Sequence, residues 1–271
     1  MIEKMHLQNK NITKQWKIPW YKAIFNPLII SIGKRKLQKN FKKPPIVIGG
    51  CDRSGTTLMI SILGAHPHIF AYPKENGVFL KWVEKEGKKV PLRLDRLYRE
   101  IIGKKIPPKA NRYCHKNPAN ILHIREILDF HLGKVKIIQM VRDGRDVITS
   151  IHPSKPGSYW VSVEKWIRDV KAGIDFYDHP DILTVRYEDL TDNPTRVIET
   201  VCKFLDEPVL DEIINWFDHT NLVKSNAWFH QAKEIHQNSV KKWEKPEHKK
   251  RLQEFMDNEE AVALLKKLGY L

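Results

Sequence analysis

The stretch Ile46–Leu58, IVIGGCDRSGTTL, constrains this chain more than any other. It opens on a short apolar run, Ile46-Val47-Ile48, that reads as a buried strand. The run breaks at Gly49-Gly50 and restarts at Thr56 as a helix with Leu58, Met59, Ile62 and Leu63 on its apolar side. A strand, a glycine-bounded turn and a helix N-terminus make an anion site, because the first helical N–H groups have no internal partner and face the turn. The spacing Gly50-x-x-x-x-Gly55-Thr56-Thr57 is the Walker A pattern, with Thr56 where the phosphate-gripping lysine belongs. The loop's basic residue is Arg53. Such a loop suits a phosphate-like group and lacks the part that handles a magnesium-bound β/γ-phosphate pair. The alternative is an ordinary glycine turn before a core helix.

Further strands alternate with helices. Asn111–Lys116 reads as a short strand stopped by Asn117-Pro118, followed by a helix over 119–130. Val135–Val141 is a second strong strand, ending in Arg142-Asp143-Gly144-Arg145-Asp146 and a helix that carries Val147, Ile148 and Ile151. The spacing predicts a long amphipathic helix over 159–177, a strand over 182–187, and a helix opened by Asn193-Pro194. A helix over 78–86 and a surface excursion over 87–110 fill the gap after the first helix. The C-terminal third reads as helices around a loop at 219–246. Alternation of this kind implies an α/β fold: a parallel sheet flanked by helices, with ligands bound beyond the carboxyl ends of the strands. That rule places Arg53, Arg142, Arg186 and Tyr187 around one crevice.

The 271 residues suffice for a sizeable core, and charged and apolar fractions are those of a globular protein. No apolar run is long enough to span a bilayer, and no secretory signal is expected at the N-terminus. The three cysteines, Cys51, Cys114 and Cys202, have neither metal-ligand spacing nor a disulfide framework, which suits a cytoplasmic setting. The net charge of +15 is uneven: residues 1–43 hold eleven Lys/Arg and one acid, Glu3. The reading therefore divides the chain into a basic, aromatic-containing arm, 1–43, and a single domain, 44–271. With only a mildly basic body, nucleic acid is not an expected partner. The arm mixes lysines with Trp16, Trp20, Phe25, Leu28 and Ile29, and Pro19 and Pro27 should interrupt any long helix. It is either a segment packed along the domain with a solvated lysine face or a peripheral membrane contact.

With these motifs in place, the chain resembles the sulfotransferases that use 3′-phosphoadenosine 5′-phosphosulfate (PAPS), whose fold is P-loop NTPase-like. Arg53-Ser54-Gly55-Thr56-Thr57 is similar to their loop for the 5′-phosphosulfate. Val141–Val147 with Ser150 is similar to their 3′-phosphate site, including the Arg142-to-Ser150 spacing. The likeness continues through Lys116-Asn117-Pro118, Arg186–Leu190, Lys242-Trp243 and Leu268-Gly269-Tyr270. Within the family, RSGTTLM, AHP and MVRDGR resemble tyrosylprotein sulfotransferases and their bacterial relatives. The resemblance implies PAPS as donor co-substrate without a required metal, Tyr187 near the nucleotide, and Lys242 on a phosphate. The bland reading of Arg142 is a structural pair with Asp143 or Asp146.

The implied chemistry is in-line transfer of a sulfuryl group to an acceptor hydroxyl, where positioning and charge stabilisation do most of the work. The resemblance implies a glutamate base after the first helix. Ungapped alignment to the tyrosylprotein branch sets Lys74 there, whereas Pro73-Lys74-Glu75 resembles bacterial relatives, and Glu75 is assigned. Lys116 and Arg53 would stabilise the leaving oxygen. His115 is left out as a structural histidine, and His66 is given to the turn after the first helix. The acceptor's class (carbohydrate, peptide tyrosine or small molecule) stays open. A metal-dependent P-loop kinase or NTPase, with Asp143 holding magnesium, is the competing enzyme reading. A basic membrane-surface or nucleic-acid adaptor is the non-enzymatic one.

Overall fold

The structure, a computed structural model, describes residues 20–73, 75, 77–79, 94–152, 154–220, 222 and 239–271. The chain runs α1 (Trp20–Asn40), β1 (Ile46–Gly50), α2 (Thr56–Ala65), β2 (Ile69–Ala71), α3 (Leu94–Ile102) and β3 (Arg112–Lys116). A 3-10 turn (Pro118–His123) leads into α4 (Ile124–Phe130), then β4 (Lys136–Val141), α5 (Gly144–Ile148), β5 (Ile151–His152) and β6 (Lys155–Tyr159). There follow α6 (Val163–Ile174), β7 (Ile182–Arg186), α7 (Tyr187–Asp192), α8 (Pro194–Leu205), α9 (Asp211–Ile214), α10 (Trp216–His219), α11 (Lys249–Met256) and α12 (Glu259–Lys267).

Five strands form one sheet in the order β2-β3-β1-β4-β7, every neighbouring pair parallel. β1 is central and buried along its whole length, with Ile48 level with Lys116 on one side and Ile138 on the other. Strand residues alternate between two cores, as a period of two requires. Ile46, Ile48, Ile138 and Met140 pack against α2 and α8. Val47, Ile137 and Tyr113 pack on the other side with Ile124, Ile127, Leu97 and Ile101. A third cluster around Trp166 joins α5, α6, α11 and α12. All five strands thus end at one edge, where β1 meets its neighbours β3 and β4, and the functional loops leave from that edge.

Several local expectations are corrected. Pro27 lies inside α1 and does not end it. The missing N–H is tolerated because the second half of the helix is held from outside. A Cβ on Gly33 would lie 2.3 Å from Tyr98 Cβ, so the helix sits directly on α3. Lys36 Nζ donates to the carbonyls of Ile102 (3.0 Å) and Lys104 (2.8 Å), satisfying the end of α3. The excursion expected over 87–110 therefore contains a helix, with Leu97 and Ile101 buried. The helix expected over 119–130 begins as a 3-10 turn, capped by the Asn117 side chain. The helix expected from Tyr159 starts at Val163, capped by Ser162, and Ile151 and Tyr159 instead pair across an antiparallel hairpin. Val78 and Phe79 are buried in a bend, while residues 80–86 of the expected helix, 87–93 of the expected excursion, residues 1–19 of the arm, and 221 and 223–238 of the expected C-terminal loop lie outside the described residues. Among the described residues, no helix is long and apolar enough to cross a membrane.

Candidate active site

The loop after β1 is shaped by backbone conformations that favour glycine. Gly50 (φ 148°) leaves no room for a side chain, since a Cβ would lie 2.4 Å from the Met140 carbonyl oxygen. Gly55 (φ 90°) caps α2 without a side chain, and its α-face is covered by Tyr187, whose Cδ2 is 2.6 Å from where a Cβ would stand. Arg53 also has positive φ (70°), turning its side chain out of the loop, where the guanidinium faces Trp160 at 5.5 Å. Ser54 and Thr56 are buried against the loop. With no side-chain cap on α2, its first N–H groups remain directed at the turn.

The sheet register brings a second pair to this loop. Lys116 is the last residue of β3, beside the exit of β1. Its Nζ donates to Thr57 Oγ1 at 2.9 Å and to Glu75 Oε1 at 2.5 Å. Glu75 arrives because Tyr72 N–H bonds the Cys114 carbonyl (2.8 Å), extending the β2 pairing upward alongside β3. The Lys116 side chain is 5% exposed and that of Glu75 40%, so the carboxylate faces both the lysine and solvent.

The other half of the site hangs on Arg142, at the end of β4. Its Nη1 donates to the Arg53 carbonyl (2.8 Å), its Nη2 to the Ser239 carbonyl, and its plane lies 4.3 Å from the centre of the Tyr187 ring. Nε is buried without a protein partner. Asp146 is only a distant ion partner, at 3.8 Å. Its carboxylate instead accepts the backbone N–H groups of Lys241 (2.9 Å) and Lys242 (2.7 Å), pinning the 239–244 segment over the strand edge. Burial raises the Asp146 pKa, opposed by Arg142 and those two N–H groups. Ser150 Oγ donates to the Asp146 carbonyl at 2.8 Å. The ammonium of Lys242 is pushed below its ordinary pKa, first by desolvation and then by Arg142, Lys245 and Arg53. Arg53 is likewise lowered, by desolvation and then by Arg142. Four cations, Arg53, Arg142, Lys242 and Lys245, thus converge, and among them Lys242 and Arg53 lose more proton affinity to cationic neighbours than Asp146 and Asp52 restore, an arrangement that an anion relieves.

Behind this cluster, residues that sequence reasoning assigned no role hold it in place. Glu188 accepts the Asp143 N–H (3.0 Å) and the Tyr270 hydroxyl (2.7 Å). Arg145 forks onto Asp143 and donates to the Tyr270 carbonyl. The Asp143 carboxylate also caps α5 through the Arg145 N–H. It is therefore engaged as a structural partner rather than presented to a metal. Arg186, expected in the crevice, donates to the Leu268 carbonyl (3.1 Å) and stacks on Tyr270 (4.2 Å). It anchors the C-terminus instead. His115 is buried between Tyr113 and Phe79, with burial pushing its pKa down to about 3. His66 closes the turn after α2 by accepting the His68 N–H on Nδ1 (3.1 Å), while its Nε2 bonds the Pro208 carbonyl (3.0 Å).

Among the described residues, one cluster has metal-ligand chemistry: His66, His68 and Glu207, their ligand atoms within 4.8 Å of one another. It lies at the opposite edge of the sheet, beside the start of β3. Glu207 there bonds Arg112 (3.2 Å) and Lys43 (3.1 Å), so it ties the end of the arm to the sheet as an ion cluster. The loop residues Arg53, Ser54, Gly55, Thr56 and Thr57 thus share the strand edge with Glu75, Lys116, Arg142, Ser150, Tyr187 and Lys242.

The family model "Sulfotransferase domain" matches residues 43–267. The chain is 26% identical over 217 residues to a protein-tyrosine sulfotransferase of Drosophila melanogaster, covering 69% of this chain and 43% of that protein. It is 29% identical over 209 residues to protein-tyrosine sulfotransferase 1 of Danio rerio, covering 65% and 57%. The chain spans about half the length of the curated relatives it matches. Its fold is similar to that of the sulfotransferase domain from the Synechococcus PCC 7002 olefin synthase, with a TM-score of 0.57 at 19% identity, covering 86% of this chain and 96% of that one.

Proposed function

The chain belongs to the sulfotransferase domain family, and from that premise we propose that it transfers a sulfuryl group from PAPS to an acceptor hydroxyl. The observation that carries the reading is the Thr57–Lys116–Glu75 chain of hydrogen bonds, which sets a proton acceptor and a cation side by side at the mouth of an anion-binding loop.

PAPS supplies the activated sulfuryl group and a good leaving phosphate. The loop N–H groups, Ser54, Thr56 and Thr57 suit its 5′ end. Arg142 suits the 3′-phosphate: its buried Nε is unpartnered, and its planar fork matches a phosphate's oxygens. Ser150 and Lys242 flank it, and Tyr187 holds the guanidinium plane from behind. The acceptor O–H gives its proton to the Glu75 carboxylate as the acceptor oxygen attacks sulfur in line. The bond between sulfur and the bridging phosphate oxygen breaks, and its electron pair stays on that oxygen. Lys116, already held by Thr57, stands ready to meet the charge, with Arg53 beside it. A bound donor would draw Lys116 toward the leaving oxygen, and the Glu75 carboxylate that Lys116 bonds would turn to the acceptor.

The acceptor belongs to the hydroxyl class. The curated relatives named as protein-tyrosine sulfotransferases put a peptide tyrosine among the candidates, beside carbohydrate and small-molecule hydroxyls. The test is calorimetric binding of 3′-phosphoadenosine 5′-phosphate (PAP), in EDTA, beside ATP with magnesium. Tight binding of the bisphosphate without metal supports the proposal. A preference for ATP with magnesium overturns it in favour of phosphoryl transfer.

A further inference from the structure

The outward face of α1 carries an apolar stripe. Phe25, Leu28 and Ile32 are 55%, 59% and 45% exposed. Their spacing of three and four residues sets them on one line along the helix. The same spacing continues through Arg35 and Lys39, both exposed. One line is therefore apolar in its first half and cationic in its second. The helix cannot rotate to hide the stripe, because the opposite face is occupied. Gly33 is pressed on Tyr98, Lys36 is bonded to the end of α3, and Leu37 packs against the core.

The charge around the stripe is unbalanced. No acidic residue occurs between Glu3 and Asp52. An exposed helix ordinarily interleaves acids with its lysines and favours an acid in its first turn, where α1 has none. The candidate occupants of this face differ in how they use it. A second copy of the helix would set Arg35 and Lys39 against like charges or against apolar side chains. A nucleic acid would use the cations and leave the apolar half in water. An anionic bilayer surface uses both halves at once.

We propose that α1 is a membrane-surface helix. Phe25, Leu28 and Ile32 enter the boundary between headgroups and acyl chains, while Arg35 and Lys39 meet the anionic headgroups. Three side chains give shallow insertion, so binding requires both halves of the line. The inference stands independently of the transfer chemistry proposed above.

The experiment is sedimentation of the full chain with vesicles of phosphatidylcholine alone and of phosphatidylcholine mixed with phosphatidylserine. Binding to the mixed vesicles at low salt, loss of it at high salt, and little binding to the neutral ones are expected. The pair Arg35→Ser/Lys39→Ser should lower the partition coefficient about 30-fold, since each cation near an anionic surface contributes roughly fivefold. Leu28→Ser/Ile32→Ser should also release the protein, with a cooperative thermal melt retained in both variants as a check on folding. Equal binding to neutral vesicles, or mixed-vesicle binding that survives both pairs of substitutions, overturns the proposal. So does a fall in the oligomeric mass of the free protein on Leu28→Ser/Ile32→Ser, which would assign the stripe to a second copy of the chain.

Discussion

Asp146 holds Lys242 by its backbone: the carboxylate accepts the Lys242 N–H at 2.7 Å, while the ammonium feels Arg142, Lys245 and Arg53 more strongly than it feels that carboxylate. The same carboxylate holds Lys241 at 2.9 Å. Asp146 is thus the post on which the 239–244 segment is hung. Asp146→Ala should leave the N–H groups of Lys241, Lys242 and Trp243 without their acceptor and cost about 1–3 kcal/mol of stability. It should weaken PAP binding about tenfold or more, as Lys242 loses its position. Asp146→Asn, which keeps one acceptor oxygen, should fall between. Thermal melts beside PAP calorimetry measure both, and unchanged affinity in Asp146→Ala would separate this segment from the donor site.

The parts of the site visible in the sequence are those set by local pattern. Strand periodicity and glycine spacing locate the loop at Gly50–Thr57, and the strand end locates Arg142. What is hidden depends on residues far apart in the chain. The Asp146 bonds reach across to 241 and 242, and Tyr270 finds Glu188 only after the sheet has formed. Asp146 offered one signal, an acid one helical turn from Arg142 in RDGRD, but that spacing suggests an ion pair, and the actual pair is long at 3.8 Å. Arg186 was misplaced for the same reason. Its strand-end position is real, but its guanidinium turns to the Leu268 carbonyl. At Pro27, a local rule lost to tertiary support: Gly33 and Lys36 hold the helix where propensity would break it.

Arg142 combines a buried Nε, two carbonyl bonds and a face against Tyr187. On the proposed chemistry, Arg142→Ala should weaken PAP binding by about tenfold to a hundredfold, the range for a charged hydrogen-bonding group. Arg142→Lys should recover little, because an ammonium supplies neither the fork nor the flat face. Full rescue by lysine in a binding titration would mean that only charge matters here.

Gly55 and Tyr187 can be tested as a pair. Gly55→Ala puts a methyl 2.6 Å from Tyr187 Cδ2 on a residue at φ 90°. It should cost about 1–3 kcal/mol from overpacking alone and displace the loop amides, abolishing PAP binding. Tyr187→Ala opens the space. The double variant should be more stable than the sum of the single effects predicts, while the backbone strain at residue 55 persists. Strict additivity in denaturant melts would show that the ring is not what excludes a side chain.

Glu75→Gln should lower turnover by about a hundredfold to ten-thousandfold, the range for a general base, with PAP affinity nearly unchanged. Lys116→Ala should lower turnover and also release Thr57 and Glu75, its two partners. The pair should be strongly non-additive, since each acts on the other's geometry. Turnover of Glu75→Gln equal to that of the parent would remove Glu75 from the proton-accepting role.

His115 and His131 link the core to pH. Burial pushes the first down to about 3, helped by His131, and the second down to about 4. Both lie below the ordinary value near 6.5, so the unfolded chain binds protons that the folded chain refuses. Their contribution to stability is complete above about pH 6.5 and is lost as pH falls, down to about 4 for His131 and about 3 for His115. The loss is about 1.4 kcal/mol per pH unit for each histidine across that window. His115→Phe, which keeps an aromatic ring between Tyr113 and Phe79, should flatten the acid limb of a stability-against-pH curve by one histidine's share. If the slope between pH 6 and 4 is the same in both proteins, His115 is already protonated in the folded state and its burial between the rings does not set its charge.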